Sequence, residues 1–222
     1  MPTLTAIDVL GVQRYIFASN RLRDAVACSY QVAWATRQDG GLSVGSESGL
    51  PDDSVLLAAG GTAILLFADA DQARDYAAAY TRRLYDDVPG LEVVLVHHDY
   101  QDGGLAGALL DVQTKLLDAK SRRRPGTELL GLGVTLACRT TGLPAVGFDL
   151  DQRDRAPLAA SLVKALARLD QANRRWEQFI PQDQDERQGD RYRFPLQMDH
   201  LGRTEGDTSF LGVVHIDGNG FG

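Results

Sequence analysis

The stretch SVLLAAGGTAILLFA, residues 54–68, constrains the fold of this chain more than any other. Two apolar runs of strand length flank Gly60 and Gly61. A tight two-residue connection between antiparallel strands needs positive φ, and adjacent glycines supply it without a Cβ penalty. A β-hairpin therefore stands near residue 60, and the flanking segments must build a sheet on it.

The flanks supply those elements. Leu4 to Ile7 reads as a short strand that delivers Asp8, Val9, Leu10 and Gly11. Leu22, Val26, Ser29 or Tyr30, and Ala33 recur at helical spacing, which predicts a helix to about Arg37. Gly40 to Asp53 is rich in Gly, Ser and Asp and reads as an exposed loop. After the hairpin, Asp69 or Asp71 caps a helix that buries Ala73, Tyr76, Ala77, Tyr80 and Leu84 and stops before Pro89 and Gly90. Leu91 to Val96 is a last strand. The order βαββαβ predicts an α+β fold, a ferredoxin-like antiparallel sheet with both helices on one face. Polymerase palms and nucleotidyl cyclases share this arrangement, but so do proteins with no nucleotide chemistry, so it assigns no activity alone.

Residues 102–209 change character. Leu105, Leu109, Val112, Leu116 and Ala119 form one helical stripe. VTLACRTTGLPAVGFDL reads as a second hairpin turning near Thr141 to Pro144. Leu158, Leu162, Leu166, Leu169, Trp176 and Phe179 mark a long amphipathic helix. Pro181 to Arg193 is charged and Gln-rich and reads as a mobile loop. The organisation expected is a first unit over 1–101, a helix and hairpin connector over 102–209, and the opening strand of a second unit over 210–222.

That opening strand carries the chemistry. FLGVVHIDGNGFG, residues 210–222, places Asp217 after an apolar strand and before Gly218, Asn219, Gly220 and Phe221. LTAIDVLGVQ repeats the pattern at Asp8 to Val12. A carboxylate presented at a buried strand end beside a glycine turn suits a metal ligand facing a nucleotide. Two copies suggest two palm units.

The chain resembles the large polymerase-like subunit of type III CRISPR effector complexes and its standalone bacterial relatives. Three segments carry the resemblance: IDVLGVQRYIFASNRLRDAVACSY, AAGGTAILLF and LGVVHIDGNGFG, in that order along nearly the whole sequence. The resemblance implies two palms, the first degenerate and the second converting ATP to cyclic oligoadenylates with two divalent metals. Asp217 then matches the first metal-binding acid, with the Ile216 carbonyl as an extra ligand, and Asn219 stands where a second acid often lies. Gly218, Gly220 and Phe221 would border the nucleotide. In the first palm, Asp8 matches Asp217, and Gly60 and Gly61 match the hairpin glycines, but Thr62 and Ala63 replace the acids. Two-metal chemistry needs oxygen anions holding cations roughly 4 Å apart, and magnesium prefers carboxylates. The first palm is thus expected to be silent, and no complete catalytic site lies within this chain. Mg²⁺ or Mn²⁺ is expected only for a completed second palm. No zinc is expected, since Cys28 and Cys138 are the chain's two cysteines. The partners implied are ATP or another NTP and proteins of a defence assembly. A non-catalytic scaffold or nucleotide sensor is the alternative, favoured by Asn219, Thr62 and Ala63.

The remaining signals are plainer. A formal net charge of −7 argues against blanket nucleic-acid binding. Lys120, Arg122, Arg123 and Arg124 form the one basic cluster and read as a solvated helix end, with RNA contact weakly supported. His97–His98–Asp99 reads as a strand-end polar cluster, and His215 as either a plain strand residue or a partner of Asp217. Trp34 and Trp176 read as core. No run is long and apolar enough for a membrane span, and the N-terminus lacks the pattern of a signal peptide. A cytoplasmic protein is expected.

Overall fold

The structure is a computed structural model that describes residues 1–44, 50, 52–100, 104–123, 131–150, 155–179, 194–198 and 212–213. Four strands form the main sheet: β1 (Thr3–Leu10), β2 (Val55–Ala59), β3 (Thr62–Phe67) and β4 (Glu92–Asp99). Their order is β2-β3-β1-β4, and every pair is antiparallel. Helices α1 (Val12–Ile16) and α2 (Leu22–Ala35) lie between β1 and β2, and α3 (Ala70–Asp87) lies between β3 and β4. This is the ferredoxin-like βαββαβ sheet. It forms because the hairpin puts β3 beside β2, and the two crossovers then leave only the positions flanking β1 and β3 for the outer strands.

Period-two alternation divides the sheet into two faces. Ile7 and Val9 of β1 join Ala63, Leu65 and Phe67 of β3 in the larger core. Against them pack Ala27, Cys28 and Val32 of α2 and Ala73, Tyr76, Tyr80 and Leu84 of α3. Asp69 starts α3 by accepting from the N–H groups of Asp71 (3.0 Å) and Gln72 (2.9 Å), a cap worth about 1 kcal/mol. Tyr80 is fully buried and donates to the Ala35 carbonyl at 3.0 Å, tying α3 to the end of α2.

The opposite face is also covered. Leu4, Ala6 and Ile64 meet Ala108, Val112 and Leu116 of α4 (Leu105–Arg122). Val112 and Leu116 each contribute about 1.5–3 kcal/mol by leaving water. The sheet therefore sits between α2 and α3 on one side and α4 on the other.

A second, two-stranded sheet pairs β5 (Ala145–Phe148) with β6 (Pro157–Ala159). Helix α5 (Ala160–Leu166) follows directly and packs on α2, and α6 (Leu169–Glu177) packs on α2 as well. Leu158, Leu162 and Ala165 join the larger core.

Several expectations change. β1 runs on through Asp8 to Leu10, so Asp8 lies within the strand rather than after it. A short helix, α1, stands where none was read. Residues 40–42 are buried rather than exposed, with Leu42 giving its carbonyl to the Tyr76 hydroxyl at 3.0 Å. Leu105 is partly exposed, and the buried stripe of α4 starts at Ala108. The turn near Thr141 exists, with Ala137 bridged to Pro144, but β5 takes β6 as its ladder partner. The single long helix expected from Leu158 to Phe179 is therefore a strand and two helices. Pro157 explains its start, because a proline holds the preceding residue extended. Residues 181–193 lie outside those described.

Candidate functional site

Asp8 and the glycine hairpin come together in the sheet. Asp8 pairs across β1 and β3 with Thr62, the residue after Gly61, and across β1 and β4 with Val94. The Val9 N–H donates to the Gly61 carbonyl at 2.8 Å. Gly60 has φ 62° and Gly61 φ 88°, so both turn residues occupy the left-handed region the tight hairpin needs.

Alternation puts Asp8 on the α4 face, alongside Leu4 and Ala6. The Thr62 hydroxyl donates to Asp8 Oδ1 at 2.6 Å. The Lys120 ammonium, near the end of α4, stands 2.6 Å from Asp8 Oδ2. The Asp8 side chain is 15% exposed and that of Lys120 31%, so the pair is largely shielded from water. Ala63 points into the opposite core and is fully buried. Of the two positions after the hairpin glycines, only position 62 shares the face of Asp8.

A second acid lies on this face. Glu92 pairs with Leu10 across β1 and β4. Arg14 reaches it at 2.9 Å, and Arg123, at the end of α4, forms a second ion pair with it. The local set is thus two acids against three cations. Arg122 turns outward to Asp118 at 2.9 Å, with both side chains mostly exposed. The basic cluster therefore does not read as a single solvated helix end. Lys120 and Arg123 face the sheet acids, and Arg122 faces solvent.

These residues do not fit a divalent cation at Asp8. A hard cation needs several oxygen ligands with net negative charge. Here one carboxylate oxygen faces an ammonium, and Thr62 brings no charge. Among the described residues no group of three or more His, Cys, Asp and Glu side chains is placed to hold a metal ion. Asp217, Ile216, Asn219, Gly218, Gly220 and Phe221 lie outside the described residues, as does His215.

The other polar signals hold the sheet together. Thr5 Oγ1 lies 2.9 Å from His97 Nδ1, Thr3 donates to Asp99 at 2.5 Å, and His98 lies 3.5 Å from Asp111 of α4. Burial, then the charge of Arg74, holds the His97 pKa below its usual value, against the pull of Asp99. Trp34 is core and lies under the Arg168 guanidinium at 4.1 Å. Trp176 is instead 46% exposed, with Phe179 and Phe194 against its ring. A cleft of about 370 Å³ opens beside the β1–α1 turn, lined by Gly11, Arg14, Tyr15, Thr140 and Ser161 among others, and Asp8 does not reach it.

Comparison with known proteins gives a structural likeness. The chain is similar to chains of the Csm1-Csm4 cassette of type III CRISPR. Against a crystal structure of the apo cassette the TM-score is 0.44 at 21% identity, over 55% of this chain and 19% of the other. Against the cassette in complex with pppApA it is 0.43 at 21% identity, over 62% and 23%. Against the Csm1-Csm4 subcomplex of the type III-A CRISPR-Csm interference complex it is 0.41 at 19% identity, over 55% and 19%. The matched part spans about a fifth of those chains' length. No family model and no curated protein matches the sequence. No helix among the described residues is long and apolar enough to cross a membrane.

Proposed function

We propose that this chain is the N-terminal part of a palm-type nucleotidyltransferase related to the type III CRISPR large subunit. In this reading residues 1–101 form a first, non-catalytic palm, 102–209 a connector, and 210–222 the opening strand of the palm that does the chemistry. The ordered sequence motifs and the ferredoxin-like sheet support it. The observation that carries the inactive role of the first palm is the Asp8 carboxylate, engaged by Lys120 and Thr62 on its two oxygens.

The reaction proposed is attack of a ribose hydroxyl of one NTP on the α-phosphorus of another. The new O–P bond forms as the bond to the β-phosphate oxygen breaks, pyrophosphate leaves, and the hydroxyl proton passes to water. Magnesium or manganese would supply charge neutralisation at the phosphates. Asp217, the Ile216 carbonyl and the Asn219 amide oxygen are the oxygen donors this chain offers for it, and all three are hard donors of the kind magnesium takes. ATP is the NTP implied by the sequence resemblance, which also implies a protein partner in a defence assembly.

The test uses the full-length protein with labelled ATP and Mg²⁺ or Mn²⁺. Asp217→Ala is expected to reduce product by at least the roughly 10–100-fold that loss of a partner behind a metal ligand costs, since here the ligand itself is removed. Asp8→Asn is expected to leave the product per folded molecule within about twofold, since in this reading Asp8 is engaged by Lys120 and Thr62 and touches no substrate. No cyclic or linear oligonucleotide from the wild-type protein in any assembly would overturn the catalytic reading.

One set of observations favours a second reading, a scaffold or nucleotide sensor without turnover. Thr62 and Ala63 replace hairpin acids, and Asn219 replaces an acid beside Asp217. Calorimetry that records NTP binding with no product would establish it.

A further inference from the structure

The end of α4 brings two cations to the two acids of one sheet face. Lys120 meets Asp8 and Arg123 meets Glu92. We propose that Lys120 is a built-in counterion that holds the cation position beside Asp8, so that this acid fastens α4 across the sheet and takes no divalent metal. The inference does not depend on chemistry elsewhere in the chain. It would stand equally if the protein were a scaffold.

Three features support it. First, both oxygens of Asp8 are engaged at 2.6 Å, one by a full positive charge. A divalent ion would have to displace that ammonium or sit against it, and like charges at such range repel strongly where water is scarce. Second, Lys120 projects from the sheet-facing side of α4, with its side chain 31% exposed. Ala108, Val112 and Leu116 are buried on the sheet, and Lys120 continues the same row one turn further. The apolar row sets the side of α4 from which Lys120 projects, and its ammonium meets Asp8 there. Third, the charge around Asp8 has the wrong sign for a cation site. Asp8 and Glu92 face Lys120, Arg123 and Arg14, which leaves one excess positive charge.

The consequence is that α4 covers the sheet face on which Asp8 lies, and Asp8 takes part in holding it there. Removing either member of the pair leaves the other charged and half-buried without its partner, so α4 should loosen. Removing both should loosen it less than the sum of the single changes.

The experiment uses residues 1–222 as they stand, with Asp8→Asn, Lys120→Met, the double variant and Lys120→Arg. Hydrogen exchange of α4 amides is expected to rise about tenfold in each single variant, in line with loss of one charged hydrogen bond. The double variant should exchange more slowly than the product of the two effects predicts, and Lys120→Arg should stay near wild type. In parallel, Mn²⁺ is titrated into the wild-type chain while the amide signals of Val9, Thr62 and Val94 are followed for paramagnetic broadening. This arm needs no variant and so survives if Lys120→Met fails to fold. No broadening at these amides is expected. Broadening that Asp8→Asn abolishes would overturn the proposal, as would single-variant effects on α4 that simply multiply or are absent. Activity of the Asp217 site does not enter either readout, so failure here is distinct from failure of the proposed reaction.

Discussion

His97 carries a built-in pH dependence. Burial, aided by the charge of Arg74 and opposed by Asp99, holds its folded pKa below the ordinary 6.5. The unfolded chain therefore takes up the proton first as pH falls, and stability rises with pH wherever that holds. The contribution is complete above about 6.5 and is lost as the pH drops through the depressed folded value. The melting temperature should fall between neutral pH and mild acid, and His97→Gln should flatten that fall when followed by circular dichroism. Parallel curves for the two proteins would contradict this. The two thiols differ in another way. Burial, with the charge of Asp24 adding to it, pushes Cys28 up to about 12. Burial also works against ionising Cys138, but donors from Thr141 and Thr140 outweigh it and bring that thiol down to about 7. The Cys138 sulfur lies 3.5 Å from Thr140 Oγ1. Exposure does not separate them, at 3% and 2%, so thiolate fraction decides the order of reaction. Iodoacetamide at pH 8 should label Cys138 first, by about tenfold or more, and Thr141→Val with Thr140→Val should slow it, read by mass spectrometry. Equal rates would show that opening of the fold, not ionisation, limits both.

At the scale of elements, the hairpin was the most legible part of the sequence, and the reason is local. Gly60 and Gly61 both need positive φ, a requirement that belongs to the residues themselves. Their neighbourhoods differ. A Cβ at Gly60 meets nothing within 4 Å, whereas one at Gly61 comes 3.5 Å from Val9 Cβ. Gly60→Asn should therefore stay within about 0.5 kcal/mol of wild type, because asparagine tolerates the left-handed region. Gly61→Val should cost about 1–2 kcal/mol or more, since a β-branched residue is strained there. Urea unfolding measures both, and equal costs would refute the distinction. The helices were legible where one face packs on one partner, as in α3, where Ala73, Tyr76, Tyr80 and Leu84 are buried as their spacing demands. Lys120 was less legible. Its basic neighbours suggested a solvated end, although four-residue steps from Val112 through Leu116 already place it on the buried side. What the sequence did not contain locally was the acid waiting at Asp8, more than a hundred residues away. The β6 strand was hidden for the same kind of reason. Leu158 and Leu162 fit a helical step, and only the partner strand β5 turns Leu158 into a ladder residue. Asp8 and the Gly60–Gly61 hairpin were read as parts of one motif, and the sheet brings them together. The Asp217 motif lies outside the described residues.

At the scale of the whole molecule, one buried ion network joins the small sheet to α2, the helix that packs on the large sheet. Asp149 follows β5, and its side chain is 2% exposed. It receives the Arg23 guanidinium in close contact and that of Arg21 at 3.3 Å, both from the start of α2. Arg23 also lies 3.5 Å from Asp24, whose other oxygen accepts from Ser19 at 2.7 Å. Removing one member of such a set leaves a buried charge that water cannot reach, which costs about 3–5 kcal/mol. Asp149→Ala should therefore lower stability by about that amount, and Asp149→Asn by less, because an amide oxygen still accepts from Arg23. Replacing a solvent-exposed acid such as Asp118, which pairs with exposed Arg122, should change stability by less than about 1 kcal/mol. The network also predicts how the chain unfolds. α5 and α6 pack on α2, and Leu158, Leu162 and Ala165 belong to the same core as Ile7 and Leu65, so the two sheets should melt in one transition. In Asp149→Ala the amides of β5 and β6 should exchange faster than those of β1 and β3, because the fastening lost is the one between the units. Uniform acceleration across both sheets would mean that Asp149 supports the common core rather than the junction.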